Sequence, residues 1–225
     1  GMSEPNFGSD AFNLGTTAKR DGDKYLLNGS KTWVTNAPVA DLFAVYATVD
    51  KSKGPHGVTA FLVEKNAPGL VIGRRIEKMG LRTSPMSEVF FQDCPVPVEN
   101  RLGDDGAGSI LFTRSMTWER GCILASAVGS MQRLLERSIR HANTRKQSGQ
   151  SIGKFQHIAT KIVDMKLRLE SSRHFLYHGA WMRSMGKAGF LEAEGFQKFL
   201  LLGGVGAELA AVHRHRLGQV AAHRV

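Results

Sequence analysis

The sequence predicts an α+β chain, with a small antiparallel β barrel or sandwich over residues 1–103 and long antiparallel helices over residues 104–225. Three observations carry this. All seven prolines fall before residue 98. The first part is built of short β-branched and aromatic runs separated by turn formers. In the second part apolar residues recur at helical spacing.

The expected strands are Lys24-Tyr25-Leu26-Leu27, Lys31-Thr32-Trp33-Val34-Thr35, Leu42-Phe43-Ala44-Val45-Tyr46-Ala47, Val58-Thr59-Ala60-Phe61-Leu62-Val63 and Glu88-Val89-Phe90-Phe91. Their separators are Arg20-Asp21-Gly22-Asp23, Asn28-Gly29, Gly54-Pro55 and Ala67-Pro68-Gly69, all rich in residues that favour turns. The first long helix is expected between Gly106 and Ala142, where Met116, Ile123, Ala127, Met131, Leu134 and Leu135 share a spacing. A polar loop from Thr144 to Lys154 follows. The second helix carries Ile158, Ile162, Met165 and Leu169.

With 225 residues, 42% of them hydrophobic and 22% charged, the chain is long enough to bury a substantial core. No apolar stretch approaches the roughly 20 residues a membrane span needs, and no basic-then-apolar leader opens the chain. Cys94 and Cys122 form neither a CxxC pair nor a disulfide framework, so a reducing, cytoplasmic setting is expected. His213, His215 and His223 are not expected to bind metal, because residues two apart on a helix point in different directions.

Charge separates the two parts. Residues 1–103 carry 12 Lys and Arg against 11 Asp and Glu, whereas residues 104–225 carry 18 against 9. The excess suits a solvated helical surface, an acidic carrier protein or a phosphate-rich cofactor. Nucleic acid is disfavoured, since no aromatic stacking platform accompanies the spread-out cations.

The opening Gly1-Met2-Ser3-Glu4-Pro5-Asn6-Phe7-Gly8-Ser9-Asp10 can present backbone N–H groups and hydroxyls to an oxygen-rich ligand, although the same residues are good turn formers. Four further segments follow in order: Leu27-Asn28-Gly29-Ser30-Lys31-Thr32-Trp33-Val34-Thr35-Asn36, Lys78-Met79-Gly80-Leu81-Arg82-Thr83-Ser84, Trp118-Glu119-Arg120, and Arg145-Lys146-Gln147-Ser148-Gly149-Gln150 with Phe155-Gln156. Taken together they resemble the acyl-CoA dehydrogenase family of flavoproteins, from residue 1 to about residue 200.

The resemblance implies a middle β domain plus the first part of a C-terminal four-helix bundle, hence an incomplete bundle, with no counterpart of the family's N-terminal helical domain. It implies FAD as cofactor, with Met2 and Ser3 at the isoalloxazine edge, Ser9 near the phosphates and the acyl carrier, and Trp33 and Thr35 beside the ring. Arg145 and Gln156 match positions that reach the FAD of a neighbouring subunit in a homo-oligomer, a dimer or tetramer. Ser148 replaces the family's usual aromatic. The end departs from the pattern too, at Gly203-Gly204-Val205-Gly206 and from Ala211 to Gly218.

The implied reaction is oxidation of an acyl-CoA or carrier-protein thioester, in which a carboxylate removes the α proton as a β hydride leaves to flavin N5. Glu119, followed by Arg120, matches the base position of those members that supply it from the first bundle helix. Its apolar neighbours Met116 and Trp118 are expected to desolvate it. A helix-surface acid is the alternative reading. Thr117 matches a cavity-lining position and Arg120 a carrier-binding one. An electron-transfer flavoprotein is the implied acceptor, and membrane and nucleic acid are not partners. An oxidase or a flavin-dependent monooxygenase on the same fold, or an inactive truncated product, stays open.

Overall fold

The computed structural model describes residues 1–187. The chain divides into two compact units, Gly1–Arg114 and Ser115–Val225. Gly203 to Gly206, Ala211 to Gly218 and the three C-terminal histidines lie outside the described residues.

The first unit is built on one seven-stranded sheet in the order β5-β6-β2-β1-β3-β4-β7. Its strands are β1 (Thr17–Asp21), β2 (Lys24–Thr35), β3 (Leu42–Thr48), β4 (Val58–Glu64), β5 (Leu70–Arg75), β6 (Met86–Pro97) and β7 (Arg101–Leu102). All pairings are antiparallel except a single parallel one, Thr17 with Thr48, which joins β1 to β3. The sheet is open, with β5 and β7 at its edges, and does not close into a barrel. The predicted class, an antiparallel β region ahead of long helices, is what forms.

Strand alternation builds the core. Tyr25, Leu27, Val45, Phe61, Val63, Val89 and Val96 are all buried, each on the inward parity of its strand. Two expected strands merge into β2, because Gly29 carries the chain through φ +141° instead of ending it. A Cβ there would come within 2.7 Å of Thr16 Cα, so only glycine lets the β1 and β2 backbones approach this closely. β1 and β5 were not expected as strands, since each is short and largely polar or exposed.

At the end of the sheet Tyr25 Oη donates to Asp105 Oδ1 at 2.8 Å, and Arg101 Nη1 donates to the same oxygen at 2.9 Å. The chain then enters α1 (Gly108–Cys122) through Gly106, where φ is +86° and a Cβ would lie 2.2 Å from His56 O. Phe112 on α1 meets Phe12 and Tyr46 edge to face, at centroid distances of 5.8 and 5.6 Å.

The second unit contains the end of α1, then α2 (Ala125–Thr144) and α3 (Gln156–Ser184). The single first helix expected between Gly106 and Ala142 is instead two, interrupted after Cys122. Gly121 and the β-branched Ile123 are poor helix formers at that point. Helices α2 and α3 are antiparallel: a short connection joins them, and Gln132, in the first half of α2, accepts from Arg173 Nη2, in the second half of α3, at 2.7 Å. Val128, Leu135 and Leu169 are buried between them. The expected polar loop holds a small hairpin, β8 (Lys146–Gln147) with β9 (Gln150–Ser151). Its two turn residues, Ser148 and Gly149, both have positive φ, 48° and 76°, the signature of a tight two-residue hairpin turn.

Candidate functional site

In the first unit the opening loop is not loose. Glu4 and Phe7 exchange backbone hydrogen bonds of 3.1 and 3.2 Å, closing a tight turn. The Glu4 carboxylate points inward, where Oε2 accepts from Gly15 N at 2.6 Å and Oε1 accepts from Thr16 N at 3.0 Å. Lys31 Nζ donates to Oε1 at 2.7 Å and to Met2 O at 3.3 Å. Both charged side chains are almost entirely out of water, at 1% and 5% exposure.

Burial alone would raise the Glu4 carboxyl, but the bonds from Lys31, Thr16 and Gly15 outweigh it and hold the group below the ordinary 4.5. Burial pushes Lys31 down from 10.5 and the Glu4 bond pulls it back. With three N–H donors converging on one carboxylate, we read the pair as charged.

Residues 31–36 form the other half of this surface. Thr32 N donates to Ser3 O at 2.9 Å, which stitches the opening loop to β2. Immediately after, Trp33 takes φ +57°, a strained value for a bulky residue, where the pairing of β2 with β6 shifts register between Lys31 and Val34. The indole is 60% exposed. Thr35 is exposed as well, and Asn36, at φ +65°, is tied to the next loop by accepting from Ser84 Oγ at 3.2 Å. Met2 is half-buried, and Ser3 and Ser9 are exposed.

The structure therefore brings Met2, Ser3 and the strand carrying Trp33 and Thr35 together. Ser9 sits apart on the exposed bend of residues 8–10. Beside that bend lies a hollow of about 340 Å³ lined by Asp10, Phe12, Asn13, Leu14, Thr48 and Lys51.

The second unit presents the remaining residues. Glu119 is exposed on the last turns of α1 and its carbonyl accepts from Ile123 N at 2.8 Å. Met116 and Thr117 are half-buried, and Trp118 is 61% exposed. The expected apolar cover over Glu119 is thus not supplied by α1 itself. Arg183 of α3 reaches across to this turn: its guanidinium lies 3.8 Å from the Trp118 ring centroid and donates to Thr117 O at 2.6 Å. The sequence offered no signal for that contact. Arg120 is half-buried, while Arg145, at the C-cap of α2, and Gln156, the first residue of α3, are exposed on either side of the hairpin. No group of three metal-ligating side chains occurs among the described residues, and none of their helices is long and apolar enough to cross a membrane.

Comparison with known proteins matches both parts of the chain to one family. Residues 1–94 match the acyl-CoA dehydrogenase middle-domain model and residues 106–197 the acyl-CoA dehydrogenase C-terminal-domain model. An L-prolyl-[peptidyl-carrier protein] dehydrogenase of Serratia sp. (strain ATCC 39006) is 45% identical over 185 residues, which is 82% of this chain and 48% of that protein. The crystal structure of the prolyl acyl carrier protein oxidase AnaB superposes with a TM-score of 0.83 at 53% identity, over 85% of this chain and 51% of that one. A structure of PigA with FAD and proline gives 0.84 at 42% identity, over 87% and 51%. The chain spans about half the length of the curated relatives it matches.

Proposed function

Because the chain belongs to the acyl-CoA dehydrogenase family, we propose that the protein carrying it is an FAD-dependent acyl-thioester dehydrogenase acting on a carrier-protein-bound acyl group, with prolyl the first candidate. The observation that carries this reading is Trp33: a large aromatic held at φ +57° on a bulge and left 60% exposed is strained and uncovered where a core residue would be neither. The donor set around it fits a flavin, since an indole face and a threonine hydroxyl two residues on suit a planar ring with polar nitrogens along its edge.

FAD, when bound, supplies the acceptor for the hydride that leaves the β carbon. The chain's own residues do the rest. Trp33 offers its face, Thr35 a hydroxyl donor, and Met2 and Ser3 the backbone and side-chain groups of the loop laid against β2. Glu119 takes the proton from the α carbon, so that an α,β double bond forms. Arg120 and Ser9 hold the phosphate-bearing arm of the carrier or cofactor, and Thr117 borders the acyl group. Arg145 and Gln156 reach toward a cofactor in a second copy. Removal of the α proton needs a carboxylate that the substrate can reach, and an exposed Glu119 leaves room for that substrate to approach.

A second reading comes from the relatives, since one is a dehydrogenase and another an oxidase. The two differ only in the final electron acceptor, a separate electron-transfer flavoprotein or molecular oxygen. The test uses the whole protein loaded with FAD. Anaerobic mixing with L-prolyl-carrier protein is expected to abolish the flavin's visible absorbance, and mixing with butyryl-CoA to do so more slowly. A flavin left unchanged by every thioester removes the dehydrogenase reading. Admitting air then separates the acceptors, because only an oxidase recovers its absorbance rapidly with release of peroxide.

A further inference from the structure

We infer that the buried Glu4–Lys31 pair positions both flavin-facing segments, which makes Glu4 and Lys31 positioning residues for the cofactor although neither side chain is exposed to meet it. The inference rests on the flavin reading of Trp33 and deepens it.

The energetics call for such a role. A buried ion pair is weak support for stability, because desolvating two charges offsets most of their attraction, and a well-packed apolar pair serves the fold equally well. What this pair does supply is direction. Beyond one another, the two side chains bond to the opening loop and the segment that follows it: Gly15 N and Thr16 N on the carboxylate, and Met2 O on the ammonium. Met2 and Ser3 are thereby fixed from beneath by residues 31 and 32, through Lys31 Nζ to Met2 O and Thr32 N to Ser3 O.

The same anchor serves Trp33. Lys31 pairs with Val89 and Val34 with Ser87, and between those two registered pairs the β2–β6 ladder slips. Neither Thr32 nor Trp33 has a registered partner on β6, yet Trp33 keeps a backbone conformation that persists only where its surroundings over-determine it. The Lys31–Glu4 bond at 2.7 Å and the Thr32–Ser3 bond at 2.9 Å act on this segment from the side of the opening loop. One carboxylate, placed 27 residues ahead of its partner, thus sets the relative position of the loop edge and the indole.

The test compares three forms of the whole protein: the parent, Lys31→Met, and the double variant Glu4→Gln/Lys31→Met. Each is measured for FAD affinity by titration of the apoprotein and for amide hydrogen exchange. In Lys31→Met a carboxylate is left buried without its counter-cation. Its FAD affinity is expected to fall by roughly tenfold or more, as misplacement of binding groups by about an ångström commonly does. The Gly15, Thr16 and Thr32 amides should lose protection while those of β3 and β4 keep it. The double variant carries no buried charge, so it is expected to regain the parent's melting temperature and still bind FAD as weakly as Lys31→Met. That separation distinguishes positioning from plain stability. If Lys31→Met fails to fold, the double variant decides alone. A folded double variant that binds FAD as tightly as the parent overturns the inference. Should the parent itself take up no FAD, the flavin reading fails, and undiminished protection of Thr32 in the double variant would overturn the positioning role separately.

Discussion

The two units solve the burial problem differently. In the sheet unit a dozen strand residues close on one another, so that Tyr25, Leu27 and Phe61 have no exposure at all and even a charged pair is sealed inside. Among the described residues of the helical unit, Val128, Leu135 and Leu169 form a buried apolar cluster, while Ile123, Leu134, Val163, Leu167, Tyr177 and Trp181 are at least half exposed on several faces. A sheet buries its inner face through neighbours already hydrogen-bonded to it, whereas a pair of helices can cover only the stripe where they touch. The proposed roles follow this difference. Orientation of a planar cofactor falls to the rigid unit, and proton removal falls to a helix whose surroundings are more open.

The comparison is broken most directly through the core. Phe61→Ala, which empties a fully buried aromatic site, is expected to cost roughly 3–5 kcal/mol by urea denaturation. A loss below about 1 kcal/mol would mean that the sheet core is not the rigid half. The division of chemistry comes next. Glu119→Gln keeps shape and hydrogen-bonding capacity, so FAD binding should be unchanged while the rate of flavin reduction by substrate falls about 100-fold or more. Reduction at the parent's rate would reassign the base.

Acid should act on the sheet unit through Glu4. Its carboxyl is held below the ordinary 4.5 in the folded chain, so its contribution is complete above that value and is lost as pH falls through the lower folded one. Stability profiles from pH 7 downward should therefore fall more steeply in the parent than in Glu4→Gln, and parallel profiles would remove the group from the account. A smaller effect is expected at Arg183. Replacing it by Met removes the stacked cation from Trp118 and should cost about 0.5–1 kcal/mol, with a matching change in Trp118 fluorescence. Least of all, Leu167→Ala, at a site 63% exposed, should stay within about 0.5 kcal/mol. A cost as large as that of Leu169→Ala would show that the outer stripe of α3 is covered in the whole protein.

Where side-chain patterning determines an element, the sequence was readable. β3 and β4 are dense in β-branched and aromatic residues and form close to where expected. β1 escaped because only Ala18 of its five residues is buried, and pairing with β2 rather than its own composition makes it a strand. The interruption after Cys122 is a backbone event that apolar spacing does not register. At the site, Trp33 and Thr35 were legible as letters of a motif, but the positive φ of Trp33 arises from a register slip between strands distant in sequence. The Glu4–Lys31 pair was within reach. Lys31 shares the inward parity of Tyr25 and Leu27, and a lysine on a buried face needs a carboxylate, which Glu4 of the opening loop provides.

The open edges of the sheet bear on how the protein behaves at high concentration. A free strand edge is a template on which another chain can add, and this sheet has two such edges. β7 offers only Arg101 and Leu102, too short a ledge for a foreign strand to gain much by docking. β5 is longer, but it ends in the exposed Arg74 and Arg75, and a parallel, in-register copy of the same strand would set guanidinium groups against one another across the new seam. Exchanging these two cations for valines should make that edge a better template for strand addition, seen as a rise in light scattering at high concentration.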